Sequence, residues 1–195
     1  TFIYYKVKGS VYAIHAANGD VLWSKYVGAG LDSNPVRLDD SPSSDVLVTE
    51  AQYGKLHRMA GENGASKWSL DFAEPILPPV VDKEDLVVAT YSGKIFSLDA
   101  VSGQTKWVKQ LPQSVNVSPC IASGKKQIYQ PADHSNLYVL DRQNGSCSEV
   151  YYLGHRSNGL KVPLVLVQGL LFAVENISND SARIRILEPS SEGTK

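Results

Sequence analysis

Cysteine is scarce in this sequence, and long apolar runs are absent. The chain of 195 residues has two cysteines, which are too few for a disulfide scaffold and match no zinc-binding spacing. The longest apolar stretches, such as residues 162–167, have the length of a strand, so we expect no membrane-spanning segment. No stretch shows sustained helical periodicity, so the sequence predicts very little helix.

An excess of either charge is also lacking. The 19 basic and 20 acidic residues give a net charge of −1, which predicts neither a nucleic-acid partner nor an anionic membrane surface. Lys125 and Lys126 are adjacent in a predicted turn, where we expect them to aid solubility and not to form a basic patch.

The first residues have the composition of a strand and include no starting methionine, so we expect a fragment or a processed chain.

The sequence does contain an internal repeat. Its copies begin at Gly9, Gly54, Gly93 and Ser135, about 40–45 residues apart. The first three copies end in a glycine and a tryptophan at the same spacing: Gly19 and Trp23, Gly64 and Trp68, Gly103 and Trp107. The fourth copy keeps the glycine as Gly145 but has Glu149 in place of the tryptophan.

Each period has the signals of four short strands separated by turns. Four prolines each open a short apolar run, as expected at the first residue of a strand: Pro35, Pro79, Pro119 and Pro163. Four strands in each period of this length are typical of a β-propeller blade. A β-sandwich is the alternative, but it would not require the same glycine and tryptophan in successive copies.

The sequence therefore predicts an all-β protein, a β-propeller of four-stranded antiparallel blades. About four to five blades are present, forming a partial circle within a single domain, 1–195. The predicted repeats are 1–34, 35–78, 79–118, 119–162 and 163–195. An open arc leaves blade faces and strand edges uncovered. We therefore expect missing blades of the same parent protein, a protein partner, or self-association through the open edges to cover them.

The unit that ends at Trp23 resembles the tryptophan-docking repeat of the PQQ-like β-propeller family, and Asp99, Gly103 and Trp107 match its pattern in the third copy. A large aromatic side chain on an outer strand can fill the gap to the next blade, and a turn glycine permits close approach. The predicted inter-blade docking residues are Trp23, Trp68, Trp107, Gly19, Gly64, Gly103 and Gly145.

The enzymes of this family are quinoprotein dehydrogenases that hold PQQ and usually calcium, and many have adjacent cysteines. Cys120 and Cys147 are not adjacent. Their predicted places on the first and fourth strands of one blade are too far apart for a disulfide. No calcium-ligand set can be matched either. We therefore predict no catalytic, cofactor-binding or metal residue and no cofactor.

Non-enzymatic members of the family include the BamB lipoproteins of outer-membrane assembly. The resemblance implies a non-catalytic protein-interaction or scaffold propeller outside the cytoplasm, in the periplasm or secreted. Two alternatives stay open. One is a fragment of a PQQ-dependent dehydrogenase with calcium, and the other is a ligand-sensing propeller domain.

Three groups of chemistry-bearing residues are predicted to have no active-site role. These are the turn 133–135, the acidic loop 39–45, and the set His134, Cys147 and His155. The turn contains the residue types of a hydrolase relay, but contiguous side chains cannot form one. The loop lacks the spacing of a calcium-binding loop, so we expect it to be solvated.

Overall fold

The computed structural model describes residues 1–153, 159–160, 162–178 and 181–188. Within these ranges the chain forms eighteen strands in five antiparallel sheets. The only helical segments described are two 3₁₀ turns, Ala51–Tyr53 and Asp133–Ser135. None of the described helices is long and apolar enough to cross a membrane.

Each sheet is one blade, and the blades follow one another along the chain. Blade 1 contains β1 (Phe2–Val7), β2 (Ser10–His15) and β3 (Val21–Tyr26). Blade 2 contains β4 (Val36–Arg37), β5 (Val46–Glu50), β6 (Lys55–Met59) and β7 (Ser66–Asp71). Blade 3 contains β8 (Val80–Asp82), β9 (Asp85–Ala89), β10 (Lys94–Asp99) and β11 (Thr105–Gln110). Blade 4 contains β12 (Cys120–Ile121), β13 (Gln127–Ala132), β14 (Asn136–Asp141) and β15 (Cys147–Tyr152). Blade 5 contains β16 (Val165–Val167), β17 (Leu170–Ser178) and β18 (Ser181–Leu187).

The architecture is an open partial propeller, as predicted, and the β-sandwich alternative is wrong. Every described pairing joins strands that are consecutive in the chain and antiparallel, so each blade is a simple meander. Blades 1 and 5 contain three described strands each, whereas blades 2, 3 and 4 contain the four that the repeat predicts. Gly9 precedes β2 as Gly54 precedes β6, so blade 1 contains the equivalents of the second, third and fourth strands.

The core lies between the blades, because successive side chains on a strand point to opposite faces. On β9, Leu86 and Val88 are fully buried in the cluster that blade 3 shares with blade 2. Val87 and Ala89, the alternate residues, are fully buried in the cluster shared with blade 4. A blade between two others is therefore apolar on both faces and depends on both neighbours for burial.

The outer faces of the first and last blades are apolar and exposed. On β1, Tyr4 is buried against blade 2, but the side chains on the other face, Ile3 and Tyr5, are 52% and 57% exposed. On β18, Ile184 and Ile186 are 66% and 59% exposed. Among the described residues, neither face is covered by another blade.

The three tryptophans lie between consecutive blades, each against a turn glycine of the next blade. A Cβ atom added to Gly64 would lie 2.7 Å from Cε3 of Trp23, and one added to Gly145 would lie 2.6 Å from Cε3 of Trp107. At Gly103 the nearest atom is Cδ2 of Trp68, at 3.1 Å. Each glycine thus leaves the space that the indole occupies.

Each indole also donates a hydrogen bond to the turn on which it lies. The N–H of Trp23 donates to the carbonyl of Gly61 at 2.7 Å, and the N–H of Trp107 donates to the carbonyl of Arg142 at 2.9 Å. Trp68 donates to the carbonyl of Val101 at 3.2 Å. These bonds satisfy the indole N–H, which would otherwise be costly to bury.

Gly19 differs from the other three turn glycines. It has the same left-handed backbone, with φ +79, but no heavy atom of the described residues lies within 4 Å of a Cβ added there. Its place in the chain explains the difference. Gly19 lies in blade 1, and each tryptophan packs on the blade that follows it. The turn alone therefore requires glycine at this position.

The prediction of a solvated acidic loop at residues 39–45 needs correction at Asp45. This carboxylate is 13% exposed and lies 2.6 Å from both Nη2 of Arg58 and Nζ of Lys67. The same guanidinium also contacts blade 3, because Nη1 of Arg58 donates to the carbonyls of Ala100 at 2.9 Å and Val101 at 2.6 Å. Burial acts to raise the pKa of Asp45, but the hydrogen bonds from Lys67 and Arg58 outweigh it and hold the pKa below its ordinary value.

The packing of the indole on its glycine can be tested by comparing Gly145→Ala with Gly19→Ala. Both variants place alanine at positive φ, which costs about 1 kcal/mol. Only Gly145→Ala also forces a methyl group into Trp107, which we expect to cost a further ~2 kcal/mol. Urea unfolding followed by circular dichroism measures both free energies. Equal losses in the two variants would show that the contact with Trp107 contributes nothing.

The ion pairs of Asp45 predict a pH dependence of stability. A lowered pKa contributes stability that is complete above the unfolded value of 3.8 and is lost as the pH falls through the folded value. We expect Asp45→Asn to reduce the free energy of unfolding by about 2 kcal/mol at neutral pH, because it removes charged hydrogen bonds. The difference from the wild-type protein should shrink at about pH 3.

Urea unfolding at the two pH values checks this expectation. Asp40→Asn is the matched control, because Asp40 is exposed on the same loop. A control that loses as much stability as Asp45→Asn would contradict the assignment.

Candidate interaction surface

The antiparallel blades present two different edges of the propeller. One edge contains the turns between the second and third strands and the ends of the fourth strands. The opposite edge contains the turns between the first and second strands and between the third and fourth strands. The tryptophans lie between the blades, and the exposed side chains at these two edges are candidates for a binding surface.

The first edge has one exposed tyrosine in each of four consecutive blades, and we call it the tyrosine edge. These are Tyr26 at 71%, Tyr53 at 61%, Tyr91 at 39% and Tyr152 at 60% exposure. Tyr26 and Tyr152 end the fourth strands of blades 1 and 4, whereas Tyr53 and Tyr91 lie in the turns of blades 2 and 3. The four side chains come from non-equivalent positions, so the repeat pattern alone did not reveal them.

Close backbone contacts hold two of these rings in place. A Cβ atom added to Gly9 would lie 2.9 Å from Cε2 of Tyr26, and one added to Gly30 would lie 2.3 Å from Cδ2 of Tyr53. The backbone of Tyr91 is fixed differently, because its N–H donates to Pro75 at 3.3 Å and its carbonyl accepts from Val115 at 3.2 Å. Two of the four rings and the backbone of a third tyrosine are therefore held in position before any partner binds.

The chemistry of this edge suits protein recognition. No phenol hydroxyl of the four tyrosines has a hydrogen bond within the part of the chain that the structure describes, so each is available to a partner. Tyrosine offers a large apolar ring and a polar tip with few rotatable bonds, and it is enriched in protein interfaces. An exposed row of such rings can bury apolar area and make hydrogen bonds at the same time.

A hydrogen-bonded set on blade 2 has the residue types of a hydrolase relay. Nε2 of His57 lies 3.1 Å from Oε1 of Glu50, and Nδ1 lies 2.8 Å from Oγ of Ser69. The Glu50 carboxylate is covered by the linker between blades 1 and 2, since a Cβ added to Gly28 would lie 2.0 Å from Oε2. We assign this set a structural role in holding the linker against blade 2.

The residues predicted to lack an active-site role are dispersed. Residues 133–135 form the 3₁₀ turn before β14. Cys120 and Cys147 lie on the first and fourth strands of blade 4, and both are free thiols. Burial raises the pKa of the Cys120 thiol, which disfavours the reactive thiolate. His155 lies outside the described residues.

The described residues do not fit the PQQ and calcium of the family's enzymes. They include no group of three or more histidine, cysteine, aspartate or glutamate residues that could hold a metal ion. The two cysteines are on different strands and cannot form the adjacent pair that stacks on the quinone in many of those enzymes.

Comparison with known proteins supports the fold. The sequence profile of the family described as outer membrane protein assembly factor BamB matches residues 7–181. The outer membrane protein assembly factor BamB of Yersinia pestis is 25% identical over 203 residues, which cover 95% of this chain and 47% of that protein. Tetrathionate hydrolase of Acidithiobacillus ferrooxidans is 23% identical over 159 residues, covering 69% of this chain and 32% of the hydrolase.

The crystal structure of BamB from Moraxella catarrhalis has a similar fold. Its TM-score is 0.69 at 20% identity, and the match covers 88% of this chain and 55% of that structure. The chain spans about half the length of the BamB proteins it matches. Because the family profile matches most of the sequence, the chain belongs to the β-propeller family described as outer membrane protein assembly factor BamB.

Proposed function

We propose that this chain is a protein-interaction segment of a non-catalytic scaffold propeller that works outside the cytoplasm. The observation that carries the proposal is the tyrosine edge, where four consecutive blades each expose one ring. The names of the BamB relatives suggest the setting, which is the assembly of outer membrane proteins. In this proposal the chain binds a protein component of that process and needs no cofactor.

An enzymatic role is the second candidate, because one relative is a tetrathionate hydrolase. That match covers about a third of the hydrolase, and the described residues of this chain offer no metal cluster. A PQQ-dependent dehydrogenase or a ligand-sensing propeller would need a small-molecule site. The tyrosine edge favours a protein over a small molecule because its rings are spread over four blades and not gathered in one cleft.

The contact can be tested in cells by photo-crosslinking. A photoreactive phenylalanine analogue is placed at Tyr53 or Tyr91 in the protein, and at Tyr5 in the control. Tyr5 is the matched control because it is a tyrosine of similar exposure, 57% against 61% for Tyr53, on the outer face of blade 1. We expect a crosslink to an envelope protein of the assembly process from the tyrosine edge and not from Tyr5.

Affinity for the identified partner then tests the tyrosines themselves. We expect Tyr53→Ala combined with Tyr91→Ala to weaken binding at least about tenfold, because buried aromatic rings dominate interface energies. Tyr5→Ala should leave binding unchanged. A crosslink confined to the Tyr5 position, or equal affinity of the double variant, would contradict the assigned surface.

A PQQ titration tests the non-catalytic part of the proposal. The three tryptophans report on binding through their fluorescence, and the titration is run with and without calcium. We expect no saturable quenching by PQQ. Saturable quenching that depends on calcium would overturn the proposal and favour the dehydrogenase.

A further inference from the structure

The edge opposite the tyrosine edge has a groove between blades 3 and 4 that is lined by several basic side chains. Its basic side chains come from both blades and define what we call the basic groove: Lys83, Lys106, Lys125, Lys126 and Arg142. The cavity has a volume of about 510 Å³ and is open to solvent. Lys125 and Lys126, predicted from the sequence to be only solubilising, thus belong to a larger cationic cluster.

The carboxylates in this groove are already neutralised by two of the five cations. Arg142 contacts Asp82 through Nη1 at 2.6 Å and also bonds Asp85 through Nε. Lys106 bonds the other oxygen of Asp85 and lies 4.0 Å from Oδ2 of Asp99. Burial acts to raise the pKa of Asp85, but the hydrogen bonds from Lys106 and Arg142 outweigh it and keep the pKa below its ordinary value. Asp85 therefore stays ionised and keeps the two cations in place.

Three lysines remain without a partner. Among the described residues, the ammonium groups of Lys83, Lys125 and Lys126 make no hydrogen bond or ion pair, and all three side chains are exposed. Lys83 comes from blade 3, and Lys125 and Lys126 come from the facing turn of blade 4. Lys83 lies between Asp82, which is paired with Arg142, and Glu84, which is exposed in the turn. The groove therefore has an excess of positive charge in a chain whose net charge is −1.

The turn that carries Lys83 is built in a way that favours glycine or asparagine. Asp82 and Asp85 pair across a two-residue turn, and Lys83 has φ +57. This left-handed conformation disfavours lysine because of its Cβ atom. The strained turn places an ammonium group at the rim of the groove.

We infer that the basic groove binds an acidic, extended segment of a partner protein. Arg142 has committed its fork of donors to Asp82 and Asp85, so it cannot clamp a phosphate through two bonds. The three lysines provide flexible point charges on two walls of the groove, which match several carboxylates along a peptide. The opening is large enough for side chains of such a segment.

The charge of the surrounding edge argues against a nucleic acid or an anionic membrane. Asp39, Asp40 and Glu62 lie in the turns of blade 2 at this same edge, and all three are exposed. A membrane or a nucleic-acid duplex would bring phosphates close to these carboxylates, whereas a peptide can stay within the groove. The basic groove and the tyrosine edge are on opposite sides, so the two proposals can fail separately.

The experiment uses the full chain and a fluorescein-labelled glutamate-rich peptide as the probe. Fluorescence anisotropy measures the dissociation constant at low and at high salt. The groove variant combines Lys83→Gln, Lys125→Gln and Lys126→Gln. The control variant combines Lys8→Gln, Lys25→Gln and Lys55→Gln, which removes the same charge from exposed lysines outside the groove. Circular dichroism verifies that both variants are folded.

We expect the groove variant to bind the peptide roughly tenfold more weakly, since each exposed ion pair contributes modestly. The control variant should bind like the wild-type protein, and salt should weaken the wild-type complex. Equal weakening in both variants would overturn the proposal by showing an effect of net charge alone. Absence of peptide binding, or stronger groove-dependent binding of inorganic phosphate or of phosphatidylglycerol vesicles, would also overturn it.

Discussion

Contact between neighbouring blades is the interaction on which the rest of this structure depends. A blade of this chain has little core of its own, because its apolar side chains alternate between its two faces. Leu86 and Val87 are adjacent in the sequence, yet each is buried against a different neighbour. The tryptophans make this packing directional, because each one also forms a hydrogen bond to the next blade. Each indole lies on a turn glycine and donates its N–H to the same turn, which restrains the distance and the orientation of the next blade.

Charged side chains link the blades near the same turns. Arg58 connects the ionised Asp45 of blade 2 to two carbonyls of blade 3, and Arg142 of blade 4 reaches back to Asp82 and Asp85 of blade 3. Ion pairs that are partly buried and share several hydrogen bonds contribute more than isolated surface pairs. Apolar packing is not directional, so it does not fix the alignment of neighbouring blades by itself. The arginines help to fix that alignment through their hydrogen bonds.

The loops at the two edges of the propeller do not have to pack between blades. Their exposed residues can therefore differ from one edge to the other. One edge exposes four tyrosines, and the other places unpartnered lysines on either side of one groove. In the two proposals, these chemically distinct edges bind two different protein segments.

The local sequence was sufficient to predict the blades. The period, the turn glycines and the apolar alternation require only short-range geometry, so the sequence predicted the four strands of blades 2, 3 and 4. The two candidate interaction surfaces could not be predicted from the sequence and were recognised only in the tertiary structure. Asp45 was predicted to be solvated because its partners, Arg58 and Lys67, are distant in the sequence. Lys125 and Lys126 were not predicted to form a basic patch because Lys83 belongs to another blade. Gly19 has the same local sequence signal as Gly145, yet only Gly145 lies against an indole. A repeat specifies its own fold through neighbouring residues, but charge clusters and contacts between blades depend on how separate repeats are brought together in space.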